Sequence, residues 1–151
     1  MRSCDLVKLR VRDVMHGERV AARAIVMHQK TQRPVQFEIT EQTREAVMGW
    51  IRHQGLKSDD YLFASRLRAS PHLSTRQYAR IVHSWVNEIG LDPVAYGTHT
   101  LRRTKASLIY RRTMNLRAVQ LLLGHSKLES TVRYLGIEVD DALEMAEQTE
   151  V

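Results

Sequence analysis

Two stretches of this chain run from a hydroxyl side chain, through apolar residues at helical spacing, to a glycine: Thr40 to Gly55 and Ser74 to Gly90. A third, Leu116 to Leu123, is apolar at Ala118, Val119, Leu121, Leu122 and Leu123 and stops at Gly124. A Ser or Thr oxygen accepts from the free amides of a first helical turn, and glycine adopts the left-handed backbone that ends a helix. The pattern therefore predicts short helices with separate bounds. The first buries Val47, Trp50 and Ile51; the second opens on the capping box Ser74-Thr75-Arg76-Gln77 and carries Tyr78, Ile81, Val82, Trp85 and Ile89. Ser126-Lys127-Leu128-Glu129 reads as another capping box, opening a short helix with Tyr134 about two turns along it. Near the start, Cys4 to Leu9 reads as the end of a helix. Val11 to Val14, Val20 to Met27 and Val35 to Ile39 then read as strands, the first two around the His16-Gly17-Glu18 turn. The expected class is α+β: one mostly helical domain over residues 1–151 with a small three-stranded antiparallel sheet.

Composition narrows what such a domain meets. The formal charge of +6 is unevenly spread, because the last fourteen residues, from Glu138, hold six acids and no Lys or Arg. The body through Ile137 carries 23 basic against 11 acidic residues, a net +12, which points to a polyanion as partner. A single cysteine, Cys4, excludes an internal disulfide framework and a cysteine-based zinc cluster. The seven histidines are dispersed and no acidic cluster offers oxygen ligands, so no metal and no other cofactor is expected. No apolar run approaches a membrane span and no signal peptide is visible, so a cytoplasmic protein without membrane contact is expected. The acidic tail, residues 137–151, reads as a helix capped by Asp140 with a narrow stripe of Ala142, Leu143, Met145 and Ala146.

Chemistry concentrates between Thr98 and Gly136, where eight Lys/Arg face one acid, Glu129. His99 and Arg102 are three residues apart, on one helical face, and a cap at Thr98 or Thr100 puts both in the first turn, where free amides and the helix dipole favour an anion. Gly124 throws His125 out of its helix, and Tyr134 follows nine residues later. Taken singly these are ordinary helix features. Taken together they suit binding a phosphodiester with fixed cations and attacking it with a phenol oxygen. Tyr110 lies eight residues past Arg102, about 12 Å along a continuous helix, too far to share a phosphate with it. Tyr61, Tyr78 and Tyr96 fall in segments that read as core or connector. Arg76 and Arg80, on the outer face of the second long helix, are candidate phosphate contacts of a nucleic acid, as are Arg103, Lys105 and Lys127.

The runs His99-Thr100-Leu101-Arg102, Leu122-Leu123-Gly124-His125-Ser126 and Thr131-Val132-Arg133-Tyr134 resemble the active-site half of the tyrosine recombinases, the phage integrase family. Arg2-Ser3-Cys4-Asp5-Leu6 resembles that family's first arginine with its following acid and Leu. His28-Gln29-Lys30-Thr31-Gln32-Arg33-Pro34 resembles its hairpin lysine. The resemblance implies a fold like the catalytic core of DNA breaking–rejoining enzymes and strand cleavage through a 3′-phosphotyrosyl link. It implies Arg2 and Arg102 clamping the phosphate, Tyr134 as nucleophile, Lys30 as general acid for the leaving 5′ oxygen, His99 as acid/base for the tyrosine proton and His125 as a phosphate donor. It further implies double-stranded DNA as partner, a homo-oligomer (tetramer on DNA, monomer or dimer free), docking of the tail on a neighbouring protomer, and a separate N-terminal DNA-clamping domain not contained in this chain. Two other outcomes share these residues: a type IB-like topoisomerase that nicks and reseals, and a DNA-binding module without catalysis.

Overall fold

The computed structural model describes residues 1–66 and 70–137. The expected acidic tail helix and its Asp140 cap lie outside the described residues. The chain divides into two compact units, Met1–Arg102 and Arg103–Val151.

The first unit opens with α1 (Ser3–Leu6), α2 (Val11–Val14) and four short strands, β1 (Met15–His16), β2 (Arg19–Val20), β3 (Arg23–Met27) and β4 (Pro34–Glu38). These are followed by α3 (Glu41–Gln54) and α4 (Thr75–Glu88), and α5 (Thr98–Thr113) runs past the unit's end at Arg102. Leu9, Val11, Val14, Val20, Ala24, Ile39, Ile51 and Leu62 form its buried core. The pleat of the β3–β4 hairpin feeds this core: in register Ala24 faces Phe37 and Val26 faces Val35, while Arg23, Ile25, Gln36 and Glu38 point outward. Gly55 closes α3 at φ 61°, and Trp50, though 43% exposed, anchors by donating from Nε1 to the Leu62 carbonyl at 2.8 Å.

Four expectations change here. Val11 to Val14 is a helical turn and not a strand, because the Val11 and Arg12 amides donate to the Asp60 and Ser58 carbonyls, both at 3.0 Å, and Asp13 turns back to accept from the Arg10 amide at 2.8 Å. The expected three-stranded sheet is instead two separate antiparallel pairs, β1–β2 and β3–β4. The stretch Val20 to Met27 breaks at Ala21-Ala22, where one amide donates to Val14 and the next residue's carbonyl accepts from Ile39, both at 2.8 Å, so the chain passes from one pair to the other. The first helix is also shorter than expected, ending at Leu6. In α4, Ser74 caps as expected, accepting from the Gln77 amide at 3.1 Å. The buried face of α4 centres on Val82 and Val86, however, and Trp85 and Ile89 are exposed at 52% and 69%.

The second unit holds the rest of α5 with α6 (Leu116–Leu123) and α7 (Leu128–Leu135). Ala106, Val119 and Leu123 are its buried apolar centre, with Ile109, Tyr110, Tyr134 and Leu135 packed around them. Asn115 caps α6 by accepting from the Ala118 amide at 2.9 Å, and Gly124 ends it at φ 66°. The apolar run over-reads this helix, since Leu121 and Leu122 are 61% and 48% exposed. The expected capping box at Ser126 does not form: Lys127 is the N-cap of α7 and no side chain caps it.

Candidate functional site

Within the first unit, four of the candidate residues sit on three elements. Arg2 is the N-cap of α1, its backbone extended and its carbonyl accepting from the Asp5 and Leu6 amides at 3.1 and 2.9 Å. Lys30 stands exposed at the tip of the β3–β4 turn, which is closed by the His28 amide on the Arg33 carbonyl (2.9 Å) and the Gln32 amide on the His28 carbonyl (2.8 Å). His99 and Arg102 are the second and fifth residues of α5. The helix starts at Thr98, and Thr100 accepts through Oγ1 from the Gly97 amide at 3.1 Å, the hydroxyl reaching back over the helix start. Arg102 is half-buried and His99 exposed.

Beneath these side chains lies a polar interior that sequence reasoning missed. Asp5 is 5% exposed and His28 is wholly buried, with His28 Nε2 3.6 Å from Asp5 Oδ2. The other carboxylate oxygen, Oδ1, accepts from the Gln29 amide at 3.0 Å, tying the lysine turn to α1. Burial pushes the His28 pKa down, Asp5 pulls it up, and the positive charges of Arg2 and then Arg102 push it further down. Both guanidiniums therefore act on the same imidazole. Arg2 Nη1 is buried with no hydrogen-bond partner among the described residues. A guanidinium N–H held out of water without an acceptor is costly, and an anion bound there would supply one.

In the second unit, His125 follows the left-handed Gly124 and Tyr134 lies on α7. Their rings meet edge to face, with centroids 5.5 Å apart and planes at 82°. Two buried polar residues hold the histidine. Thr131, 0% exposed, places Oγ1 3.1 Å from His125 Nδ1, and Gln120, 3% exposed, donates from Nε2 to the His125 carbonyl at 3.1 Å. Gln120 is itself oriented by Arg117, whose Nη1 donates to Oε1 at 2.7 Å. The only sequence signal for Thr131 and Gln120 is a polar residue at a position where the helical period calls for core.

The other candidate cations, Arg76, Arg80, Arg103, Lys105 and Lys127, are all exposed. Arg76 and Arg80 line a cavity of about 470 Å³ at the start of α4, together with Arg66, Ser70, Ser74 and Gln77. Arg103 spreads its guanidinium over Gly136, at φ 70° just after α7, so that a Cβ there would lie 2.7 Å from Nη2. Among the described residues no cluster of His, Cys, Asp or Glu is arranged to hold a metal, and no helix is long and apolar enough to cross a membrane.

Comparison with known proteins extends this picture. The phage integrase family model matches residues 1–140. A probable integrase/recombinase of Bacillus subtilis, YoeC, is 31% identical over 140 residues, which are 93% of this chain and 72% of that protein. A tyrosine recombinase of Pseudothermotoga lettingae is 31% identical over 137 residues, 91% of this chain but 45% of that protein. Among solved structures, the XerA recombinase superposes with a TM-score of 0.72 at 23% identity, over 97% of this chain and 52% of that one. The XerH site-specific recombinase in a pre-cleavage complex with its difH substrate superposes with a TM-score of 0.75 at 22% identity, over 97% of this chain and 42% of that one. The fold is thus that of these recombinases, and the chain spans about half or less of the solved proteins' length.

Proposed function

The chain belongs to the phage integrase family, and from that premise we propose that it cleaves and rejoins duplex DNA at specific sites, residues 1–151 being the catalytic part of a tyrosine recombinase. The observation that carries the reading is the buried Arg2 Nη1 without an acceptor among the described residues, on a guanidinium that acts with Arg102 on one imidazole. Two guanidiniums donate paired hydrogen bonds to the non-bridging oxygens of a phosphodiester and offset the charge that grows there in the transition state. Tyr134 attacks phosphorus through its phenol oxygen, the bond to the 5′ oxygen breaks, and a 3′-phosphotyrosyl ester stores the broken linkage. Lys30 gives its proton to the departing 5′ oxygen. His99 takes the phenol proton, and His125 donates from Nε2 to the phosphate. Rejoining is the same path reversed with another strand's 5′-hydroxyl, and the fixed guanidiniums make metal or nucleotide unnecessary to it.

Arg76, Arg80, Arg103, Lys105 and Lys127 serve as backbone contacts that position the duplex. The working form on DNA is a homotetramer that separates into monomers or dimers when free, in the cytoplasm with the DNA it acts on. The test is to incubate the chain with a pool of nicked duplexes of randomised sequence and isolate DNA that stays attached after denaturation. Wild-type protein is expected to capture a defined subset of duplexes, and Tyr134→Phe none, with DNA affinity unchanged. Capture of no duplex, or an undiminished adduct in the phenylalanine variant, overturns the reading.

A further inference from the structure

We propose that His28 is a positioning residue for the general acid: with Asp5 it clamps the hairpin turn that carries Lys30 onto the helix that begins at Arg2. The inference rests on the role just given to Lys30.

The geometry lies wholly within the first unit. His28 is the last residue before the turn, and its backbone closes it twice, through the amide to Arg33 at 2.9 Å and the carbonyl from Gln32 at 2.8 Å. Its ring is among the largest fully buried side chains of the described residues. A wholly buried position at a strand end is filled at less cost by an apolar side chain, so an imidazole there acts through a polar neighbour. That neighbour is Asp5, whose Oδ2 lies 3.6 Å from His28 Nε2, a close contact without a hydrogen bond, and whose second oxygen takes the Gln29 amide at 3.0 Å. The carboxylate thus touches the two residues that immediately precede Lys30. Within the turn Gln32 Nε2 also donates to the Gln29 carbonyl at 2.8 Å, but Gln29, Lys30, Gln32 and Arg33 are exposed, and Gln32 stands in the left-handed region at φ 49°.

The charged groups that face His28 are Asp5 from α1, Arg2 at the cap of the same helix, Arg102 from α5 and the α-amino group of Met1. Burial and the three cations outweigh Asp5 and keep the imidazole neutral. A neutral ring leaves the negative charge of Asp5 intact to hold the Gln29 amide and to face Arg2. A protonated ring would neutralise that carboxylate and repel both guanidiniums.

The experiment separates positioning of the acid from damage to the rest of the site. In the cleavage step the Tyr134 oxygen bonds to phosphorus, the bond to the 5′ oxygen breaks, and the lysine proton passes to that oxygen. If the bridging oxygen is replaced by sulfur, the leaving group departs as a thiolate and needs no proton. Single-turnover cleavage is measured on a duplex captured from the randomised pool, synthesised with either a bridging 5′ oxygen or a bridging 5′ sulfur.

His28→Phe is expected to slow the oxygen substrate about a hundredfold, as misplacement by an ångström does, and to leave the sulfur substrate within about threefold, because no proton transfer is asked of it. His28→Gln, whose amide reaches toward Asp5, recovers most of the oxygen rate. His28→Asn, too short to reach, matches the phenylalanine variant and serves in its place should that variant fail to fold. Equal losses on the two substrates, or no loss on the oxygen substrate, overturn the proposal. Lys30→Met on the same pair isolates the premise: if sulfur does not rescue it, the assignment of Lys30 falls, whatever His28 does.

Discussion

Replacing Thr131 by valine removes one hydroxyl and nothing of the side chain's shape. Thr131 is 0% exposed and its Oγ1 lies 3.1 Å from His125 Nδ1. Loss of that hydrogen bond costs about 1 kcal/mol of stability, a fall in Tm of about 2–4 °C. The kinetic effect has a ceiling in the removal of a whole transition-state donor, about 3–4 kcal/mol. It stays below that ceiling because Gln120 still grips the His125 carbonyl at 3.1 Å, so the ring loses its fixed tautomer and rotamer but not its place. The working figure is about 1–1.5 kcal/mol on the barrier, roughly a tenfold slower cleavage. Single-turnover adduct formation at saturating DNA reads it directly, with affinity unchanged because His125 acts on the transition state. Thr131→Ser keeps the hydroxyl and is expected within about threefold of wild type, since only a methyl is lost. A valine variant at full rate, or a serine variant as slow as the valine one, refutes the argument that Thr131 orients His125.

Arg102→Ala is expected to cost on the order of a hundredfold or more in cleavage, and Arg103→Ala far less, because neighbouring residues point about 100° apart on a helix and Arg103 is exposed over Gly136; equal losses in adduct assays would contradict the helix-face assignment. The lowered His28 pKa means that the unfolded chain binds a proton the folded one refuses, so stability is fully present above the ordinary value of 6.5 and declines as pH falls below it toward the folded value. Denaturant titrations from neutral to mildly acidic pH should show that decline in wild type and a flatter profile in His28→Gln, and an unchanged slope would remove His28 as its source. If all five exposed cations named above contact phosphates, they contribute about −4.5 to the log–log slope of DNA affinity against salt, and each one removed reduces the slope by about 1. A salt-insensitive affinity would mean that these residues do not face DNA.

The helices were legible where their ends are chemical. Gly55 ends α3, Ser74 opens α4 and Gly124 stops α6, because caps and left-handed glycines are local devices, whereas Thr40 stands at the N-cap of α3 with its hydroxyl on Thr43 and no capping hydrogen bond. Val11 to Val14 was not, since its alternating valines suit a strand and only the carbonyls of Ser58 and Asp60, far along the chain, draw its amides into a helical turn. The broken strand at Ala21-Ala22 and the exposure of Leu121 and Leu122 have the same origin: packing partners decide them, and periodicity alone does not reveal those partners. At the site, the sequence pattern located the groups proposed to meet substrate, each on the kind of element expected: a hairpin tip, a helix start, a residue after a glycine stop. It did not reveal the groups behind them. His28 read as one letter of a lysine turn, Thr131 as one letter of the tyrosine motif, and Gln120 carried no reading, because a buried polar residue shows its purpose only once its neighbour is in place.

The cations of the first unit that face the buried histidine as side chains are both guanidiniums, Arg2 and Arg102, and a guanidinium does not release its proton at any pH a protein survives. The positive charge that those two side chains bring is consequently fixed across that range. Whatever change the proposed reaction shows along the acidity scale therefore has its source in groups other than these two arginines, the buried His28 imidazole among them.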